Sequence, residues 1–251
     1  MSTERIALVT GANQGLGKQV ATELARDGVR VLMGCRDLDR GRRAAAEVGG
    51  SATAVHLDVT DPASVGAAAQ WIEQELGHLD LLVNNAGASS AGGERRSLAE
   101  ARAGAHPSRV RIDDVRAVWE VNVFGVLAVY QAMLPLLRRS SDARIVNVTS
   151  ALGSLTLAAH PDAGTRAAYE PVYAASKTAL NALTLAMMVE LEDTDICVNL
   201  VSPGFARTAL VNFEGTETVE EAAREIVRVA RLGPGGPTGT FTTWEGVAVP
   251  W

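Results

Sequence analysis

Apolar runs rich in valine, leucine and isoleucine alternate along this chain with segments whose apolar residues recur at helical spacing. Short continuous apolar runs suit strands buried on both faces, and their alternation with helices is the pattern of successive βαβ units on a parallel sheet. The spacing predicts strands at Ile6–Thr10, Val29–Cys35, Thr53–Leu57, Leu79–Asn84, Ile145–Thr149 and Ile196–Val201. Between them it predicts helices at Lys18–Arg26, Ala63–Leu76, Val115–Leu137 and Val172–Leu191. Gly28 stops the first helix, Pro62 falls near a helix start, and Pro135 either closes or kinks the long third helix. The expected fold is α/β, a doubly wound parallel sheet flanked by helices.

Two stretches interrupt the pattern. Residues 88–114 carry Gly92, Gly93, Gly104 and Pro107 among many arginines. Acidic residues interleave with those arginines, so a mixed solvated face is expected rather than a phosphate clamp. Residues 151–172 separate a strand end from the next helix, and 203–218 follow the last strand. Open α/β sheets place ligands beyond the carboxyl ends of their strands, so all three segments are candidate substrate loops.

Composition narrows the classes. The 251 residues, 47% of them hydrophobic, suit one domain over 1–251. A formal net charge of −6 does not favour phosphate backbones or anionic membranes, so no nucleic-acid or membrane partner is expected. Apolar stretches such as Ile6–Val9 and Leu79–Val83 are strand-sized, short of the roughly 20 residues a bilayer crossing needs. Met1 to Arg5 run straight into a strand without room for a signal peptide, and a cytoplasmic location is expected. Cys35 and Cys197 read as buried free thiols, and His56, His78, His106 and His160 are scattered singly, so no metal site is expected.

The turn Thr10-Gly11-Ala12-Asn13-Gln14-Gly15-Leu16-Gly17 follows a strand and opens a helix, the context in which a glycine pattern acquires meaning. Gly11, Gly15 and Gly17 let the backbone approach a pyrophosphate, and the helix terminus offers unpaired N–H groups and partial positive charge. The sheet is then of the Rossmann type. The second strand ends in Cys35-Arg36-Asp37. A guanidinium there attracts the 2′-phosphate of NADP, whereas a carboxylate bonds the ribose hydroxyls of NAD. Arg36 favours NADP(H), and Asp37 favours NAD if it is the residue that faces the ribose. Asp58, at the third strand end, either accepts from the adenine amino group or caps the following helix.

Further blocks follow in order: Asn84-Asn85-Ala86-Gly87, Asn122, Ser150, Tyr173 with Lys177 four residues later, and Pro203-Gly204 with Thr208. With the glycine turn, these resemble the short-chain dehydrogenase/reductase family from Ile6 to Thr208. Cys35-Arg36-Asp37 and the ending from Gly235 to Trp251 resemble its carbonyl-reductase branch, which usually prefers NADPH. One departure is Gln14, where many NADP users carry lysine or arginine. The resemblance implies cofactor contacts at Gly11, Asn13, Gln14, Gly15, Leu16, Gly17, Arg36, Asp58, Val59, Asn85, Ala86, Gly87, Tyr173, Lys177, Pro203, Gly204, Ala206 and Thr208. It also implies catalytic roles for Asn122, Ser150, Tyr173 and Lys177.

The chemistry accounts for these residue types. Hydride arriving at a carbonyl carbon leaves charge on oxygen, which needs a proton. Tyr173 is the candidate donor, and its phenol needs a nearby cation to exchange that proton near neutrality. Lys177, one helical turn on, supplies the cation; taken alone the pair is only one face of an amphipathic helix. The resemblance has Ser150 hold the substrate oxygen and Asn122 hold a water of a proton relay. Tyr169 lacks a lysine at the next turn. Leu152, Leu155, Phe205, Leu210 and Phe213 are the expected pocket lining, suited to a small, uncharged carbonyl or alcohol substrate. The other readings are an NAD-dependent alcohol dehydrogenase and a regulator that senses a dinucleotide without turning it over. Oligomeric state is open between monomer and homo-oligomer.

Overall fold

The computed structural model describes residues 4–91, 106–162 and 164–251. Five βαβ-type elements open the chain: β1 (Ile6–Thr10), α1 (Gly15–Arg26), β2 (Arg30–Cys35), α2 (Leu38–Val48) and β3 (Thr53–His56). They continue through α3 (Pro62–Glu75), β4 (Leu81–Asn84), α4 (Ile112–Trp119), α5 (Gly125–Leu137) and β5 (Arg144–Val148). A short α6 (Leu155–Ala159), α7 (Ala174–Glu190), β6 (Cys197–Ser202), α8 (Val219–Ala230) and β7 (Phe241–Thr243) complete the order.

All seven strands are parallel, in the order β3-β2-β1-β4-β5-β6-β7. The direction of winding reverses between β1 and β4. Strand geometry sends alternate side chains to opposite faces, so Leu8 packs with Ile72, Met133 and Ile145 while Ala7 and Val9 pack with Val20, Leu24 and Ile226. Each such fully buried aliphatic side chain contributes roughly 1.5–3 kcal/mol relative to exposure, which makes the two-faced core the main source of stability.

The six predicted strands are present, the first at its predicted bounds and the others with ends within two residues of theirs, and β7 is an addition. Phe241–Thr243 is too short to show a period, and only pairing with β6 makes it a strand. Helix α2 also went unread. Its sequence is polar, its buried stripe is only Gly41, Ala44 and Ala45, and Gly41 allows close approach to Cys35 and Ala54. Helix α8 did carry a legible signal, the Thr218/Glu221 capping box.

The helix predicted over Val115–Leu137 is continuous but not regular. A π turn, Glu120–Phe124, separates α4 from α5, and Pro135 sits inside the last turn of α5 without ending it. The run Ile112–Leu137 is long and apolar enough to span a bilayer, contrary to the expectation of strand-sized stretches only. Here it is a core helix, with Val126, Val129, Met133, Leu136 and Leu137 buried against the sheet.

Candidate active site

The carboxyl ends of β1 and β4 open the crevice at which such sheets bind ligands. Gly11 and Gly15 have φ of +64° and +53°, in the left-handed region. A Cβ on Gly17 would stand 2.4 Å from Asn85 Nδ2 and 2.7 Å from the Gly11 carbonyl, so the turn tolerates nothing larger. Asn85 braces this turn from β4, donating through Nδ2 to the Thr10 carbonyl at 2.9 Å, while Thr10 Oγ1 accepts the N–H groups of Asn85 and Ala86 at 3.0 Å each. Its side chain is therefore engaged by backbone. Helix α1 starts at Gly15 with no side-chain cap from Gln14 and no acidic residue in its first turn. By contrast α2, α3 and α8 are capped by Asp37, Asp61 and Thr218. An uncapped helix start behind a glycine turn is a cradle for an anionic group, and it fits the pyrophosphate of a dinucleotide.

Capping distinguishes the two charges that follow β2. Asp37 accepts the Arg40 N–H at 3.0 Å and pairs with the Arg40 guanidinium at 3.2 Å. The Arg40 backbone bond, foremost, holds its carboxyl below the ordinary range. Arg36 is exposed and close enough to Asp58 to act on its ionisation. Asp58 does not cap α3, because Asp61 does so through the Ala63 N–H. Instead it accepts from the backbone and hydroxyl of Thr60; against the cost of burial, those bonds and the Arg36 charge hold its carboxyl low. Thr208 lies over the glycine turn, its Cγ2 3.5 Å from a Cβ built on Gly15. Gly204, at φ +73°, is packed by Trp244 and Glu217, and Ala206 is buried beside Glu217. Val59 lies against Gly125 at the start of α5.

Ser150 lies two residues beyond β5, and α7 begins beside it with Tyr173 at its entrance. The Ser150 hydroxyl faces the Tyr173 phenol and Lys177 Nζ lies 5.8 Å from the Tyr173 ring centroid, within cation–π range. Lys177 is buried and donates to the Val148 carbonyl at 3.0 Å. A Thr149 Oγ1 bond to Asn181 Oδ1 at 2.6 Å and an Asn147 Nδ2 bond to Thr184 Oγ1 at 2.9 Å fix α7 on β5. These buried bonds set Ser150 in register with Tyr173 and Lys177. Asn122, in the π turn, accepts from the Ala88 N–H and donates to the Ala88 carbonyl and Ser176 Oγ. Both of its amide hydrogens are thus engaged. Gly87 closes the group, with Asn122 Oδ1 and Lys177 Nζ 3.5 and 3.9 Å from a Cβ built there.

Burial pushes the Tyr173 phenol up to about 12; the Ser150 hydroxyl opposes this and the Glu170 carboxylate adds to it. Burial pulls Lys177 down to about 8 from 10.5. A lysine with a folded pKa below its unfolded value destabilises the fold while charged. That cost is fully present below pH 8 and disappears above about 10.5. Lys177→Met is therefore expected to stabilise the protein by about 1–3 kcal/mol at neutral pH, and by less at pH 10. Denaturant unfolding at the two pH values checks this; equal effects at both would remove the electrostatic cause.

Of the expected pocket residues, Leu155, Leu210 and Phe213 are exposed rather than gathered in a separate small core. Ser89 Oγ donates to the Leu210 carbonyl at 2.6 Å, joining the segment after β4 to the loop after β6. Asn212 and Phe213 take positive φ of 52° and 62° in that loop, which is unusual for a bulky aromatic residue. The remaining expectations for 92–105, including the arginine-rich face, lie outside the described residues. Clefts of about 410 Å³ between α1 and α8 and about 300 Å³ between α3 and α5 lie away from this site, and ion-paired Glu23, Arg26 and Arg231 line the first. Among the described residues, no three His, Cys, Asp or Glu side chains form a metal-binding group.

The family model described as short chain dehydrogenase matches residues 5–219. The chain belongs to the short-chain dehydrogenase family. Curated relatives of this short-chain dehydrogenase include the short-chain dehydrogenase anuI of Penicillium roqueforti, 38% identical over 92% of this chain and 90% of that protein. Another is the (+)-neomenthol dehydrogenase of Arabidopsis thaliana, 31% identical over 92% of each. Among solved structures, an NADPH-bound carbonyl reductase from chicken fatty liver superposes with a TM-score of 0.80, at 28% identity over 99% of both chains. The protein is an oxidoreductase with the Rossmann-type sheet of its family.

Proposed function

We propose that this dehydrogenase is an NADP(H)-dependent carbonyl reductase, acting on a ketone or aldehyde of a small, largely apolar molecule. We read 1–251 as one domain for this task, with substrate loops at about 88–114, 151–172 and 203–218. The observation that carries the reading is the meeting of Ser150, Tyr173 and Lys177 beside the uncapped glycine turn.

The glycine turn and α1 would hold the pyrophosphate, Arg36 the 2′-phosphate, and Lys177 the nicotinamide ribose. When bound, the reduced nicotinamide supplies the hydride. The chain's own groups handle the proton and the charge. Ser150 donates to the carbonyl oxygen and orients it. Tyr173 transfers its phenolic proton to that oxygen as negative charge develops there. Lys177, as a cation, stabilises the phenolate left behind, with two ammonium hydrogens beyond the one on Val148. The same group serves as base in alcohol oxidation. Exposed Leu155, Leu210 and Phe213 supply an apolar rim without a cationic clamp among them, which favours an uncharged substrate.

NADP is favoured over NAD because Asp37 is engaged with Arg40 and Arg36 remains exposed. The NADPH in the chicken carbonyl reductase it resembles supports the same choice. Arg36→Ala is expected to weaken NADPH binding by about 10–100-fold, the loss of a charge-assisted contact of ~1.5–3 kcal/mol, and to leave NADH binding little changed. Fluorescence titration with both cofactors checks it, and equal losses would return the selecting role to another residue. The function itself is tested by following nicotinamide absorbance with NADPH or NADH against a panel of neutral ketones and aldehydes. Consumption of NADPH with a carbonyl supports it; binding of NADPH without turnover on any substrate would favour a sensing role.

A further inference from the structure

The turn that leads into Tyr173 is organised by a carboxylate that no motif includes. Glu170 accepts the backbone N–H of Val172 through Oε2 at 2.6 Å, and those of Tyr173 and Ala174 through Oε1 at 2.7 and 3.0 Å. Its own carbonyl accepts the Ala175 N–H at 3.0 Å. The first N–H groups of a helix have no partners within it, and here one residue accepts those of Tyr173, Ala174 and Ala175 at the entrance of α7. Bonds from N–H to a carboxylate are stronger than neutral ones, and the helix dipole adds to them. Trp119 holds the same turn from α4, its indole N–H donating to the Pro171 carbonyl at 3.3 Å. Tyr173 is the residue whose backbone this arrangement grips.

The arrangement also fixes a negative charge near the phenol. The groups that face Tyr173 are Lys177 from the next turn of α7, the Ser150 hydroxyl from the end of β5, and Glu170 from the preceding turn. Lys177 as a cation and Ser150 as a donor favour phenolate. Burial, foremost, and the Glu170 carboxylate favour the protonated phenol.

We propose that Glu170 is a positioning residue that pins Tyr173 at the entrance of α7 and, through its charge, extends to higher pH the range in which that phenol is protonated and can serve as donor. The inference rests on the reading of Tyr173 as the acid–base group. Removing the charge weakens the phenol's hold on its proton, and the base-requiring direction, alcohol oxidation, then sets in at lower pH. The upper limb of reduction moves down with it.

The test is a pH titration of the Tyr173 phenolate in the NADP⁺ complex, read in the near-ultraviolet as the difference between each protein and its Tyr173→Phe counterpart. Glu170→Gln keeps the size of the side chain and removes its charge. Its midpoint is expected about 0.5–1 pH unit below that of the unsubstituted protein, or about 3–10-fold more phenolate at a fixed pH below both midpoints. Glu170→Asp, which retains the charge, is expected to titrate close to the unsubstituted protein. If Glu170→Gln does not bind NADP⁺, Glu170→Ser, an uncharged helix cap, takes its place. Coincident midpoints in a variant that binds NADP⁺ would overturn the proposal and leave Glu170 a structural cap. Tyr173→Phe assayed with the carbonyl panel separates the two levels. An active Phe variant removes the acid–base reading and this inference together, whereas a dead Phe variant with coincident midpoints removes only the inference.

Discussion

Tyr173→Phe is expected to lower kcat/KM for carbonyl reduction by about 10³–10⁴-fold, near the upper end of what a positioned general acid contributes. That loss corresponds to ~4–5.5 kcal/mol of transition-state stabilisation. The substitution removes one oxygen and its proton and leaves the ring that packs under Lys177. The bonds that place α7, from Glu170 to the backbone and from Thr149 to Asn181, do not involve the phenolic oxygen. NADPH affinity is therefore expected to be nearly unchanged, and single-turnover kinetics should show the loss in the chemical step. A variant that keeps more than about a tenth of the rate would point to a proton reaching the carbonyl oxygen by another route, because uncatalysed protonation in a water-poor site cannot replace a positioned donor.

The second large effect concerns stability. Arg144, the first residue of β5, is only 1% exposed. Its guanidinium donates to Asn199 Oδ1 at 2.5 Å, the Pro237 carbonyl at 3.0 Å and the Leu232 carbonyl at 3.3 Å. Among the described residues no carboxylate lies within ion-pairing distance of it. Burial pulls its pKa down, and the cost is offset by these neutral acceptors, of which the Pro237 carbonyl also accepts from Asn199 Nδ2 at 3.1 Å. Leu232 and Pro237 belong to the glycine- and proline-rich segment between α8 and β7 and Asn199 to β6, so the arginine ties that segment to the sheet. Arg144→Met fills similar volume but takes the donor from the buried Asn199 Oδ1 and from the half-buried Leu232 carbonyl, while the Pro237 carbonyl keeps Asn199 Nδ2. A loss of about 3–5 kcal/mol is expected, and a thermal midpoint lower by roughly 10 °C follows for a protein of this size. Thermal unfolding by circular dichroism measures it; a loss below about 1 kcal/mol would mean that the segment is held by β7 pairing instead.

The sequence by itself determined the sheet. Strands buried on both faces have to be continuous apolar runs, which made β1, β2, β4, β5 and β6 legible; the edge strand β3, buried only at Val55, was legible from its place in the alternation, and the glycine turn marked the crevice. It also carried Ser150, Tyr173 and Lys177, through the ordered blocks that resemble the short-chain dehydrogenase/reductase family rather than through local periodicity. Helix ends, β7 and α2 were not legible. β7 exists through pairing with β6, and α2 through close packing that Gly41 permits, and neither leaves a periodic apolar trace.

Tertiary structure alone decided which of two adjacent charges is engaged as a helix cap. Arg36 and Asp37 are indistinguishable in a string of letters; the start of α2 draws in the carboxylate as its cap and leaves the guanidinium free. It decided likewise that Asp61, not Asp58, caps α3 and that Asn85 braces the glycine turn. It also placed Glu170 at the entrance of α7 and Arg144 beneath the last loop. The physical reason is common to all of these. A hydrogen-bonding side chain takes its role from the unsatisfied backbone groups that folding brings within reach, and those groups belong to other parts of the chain.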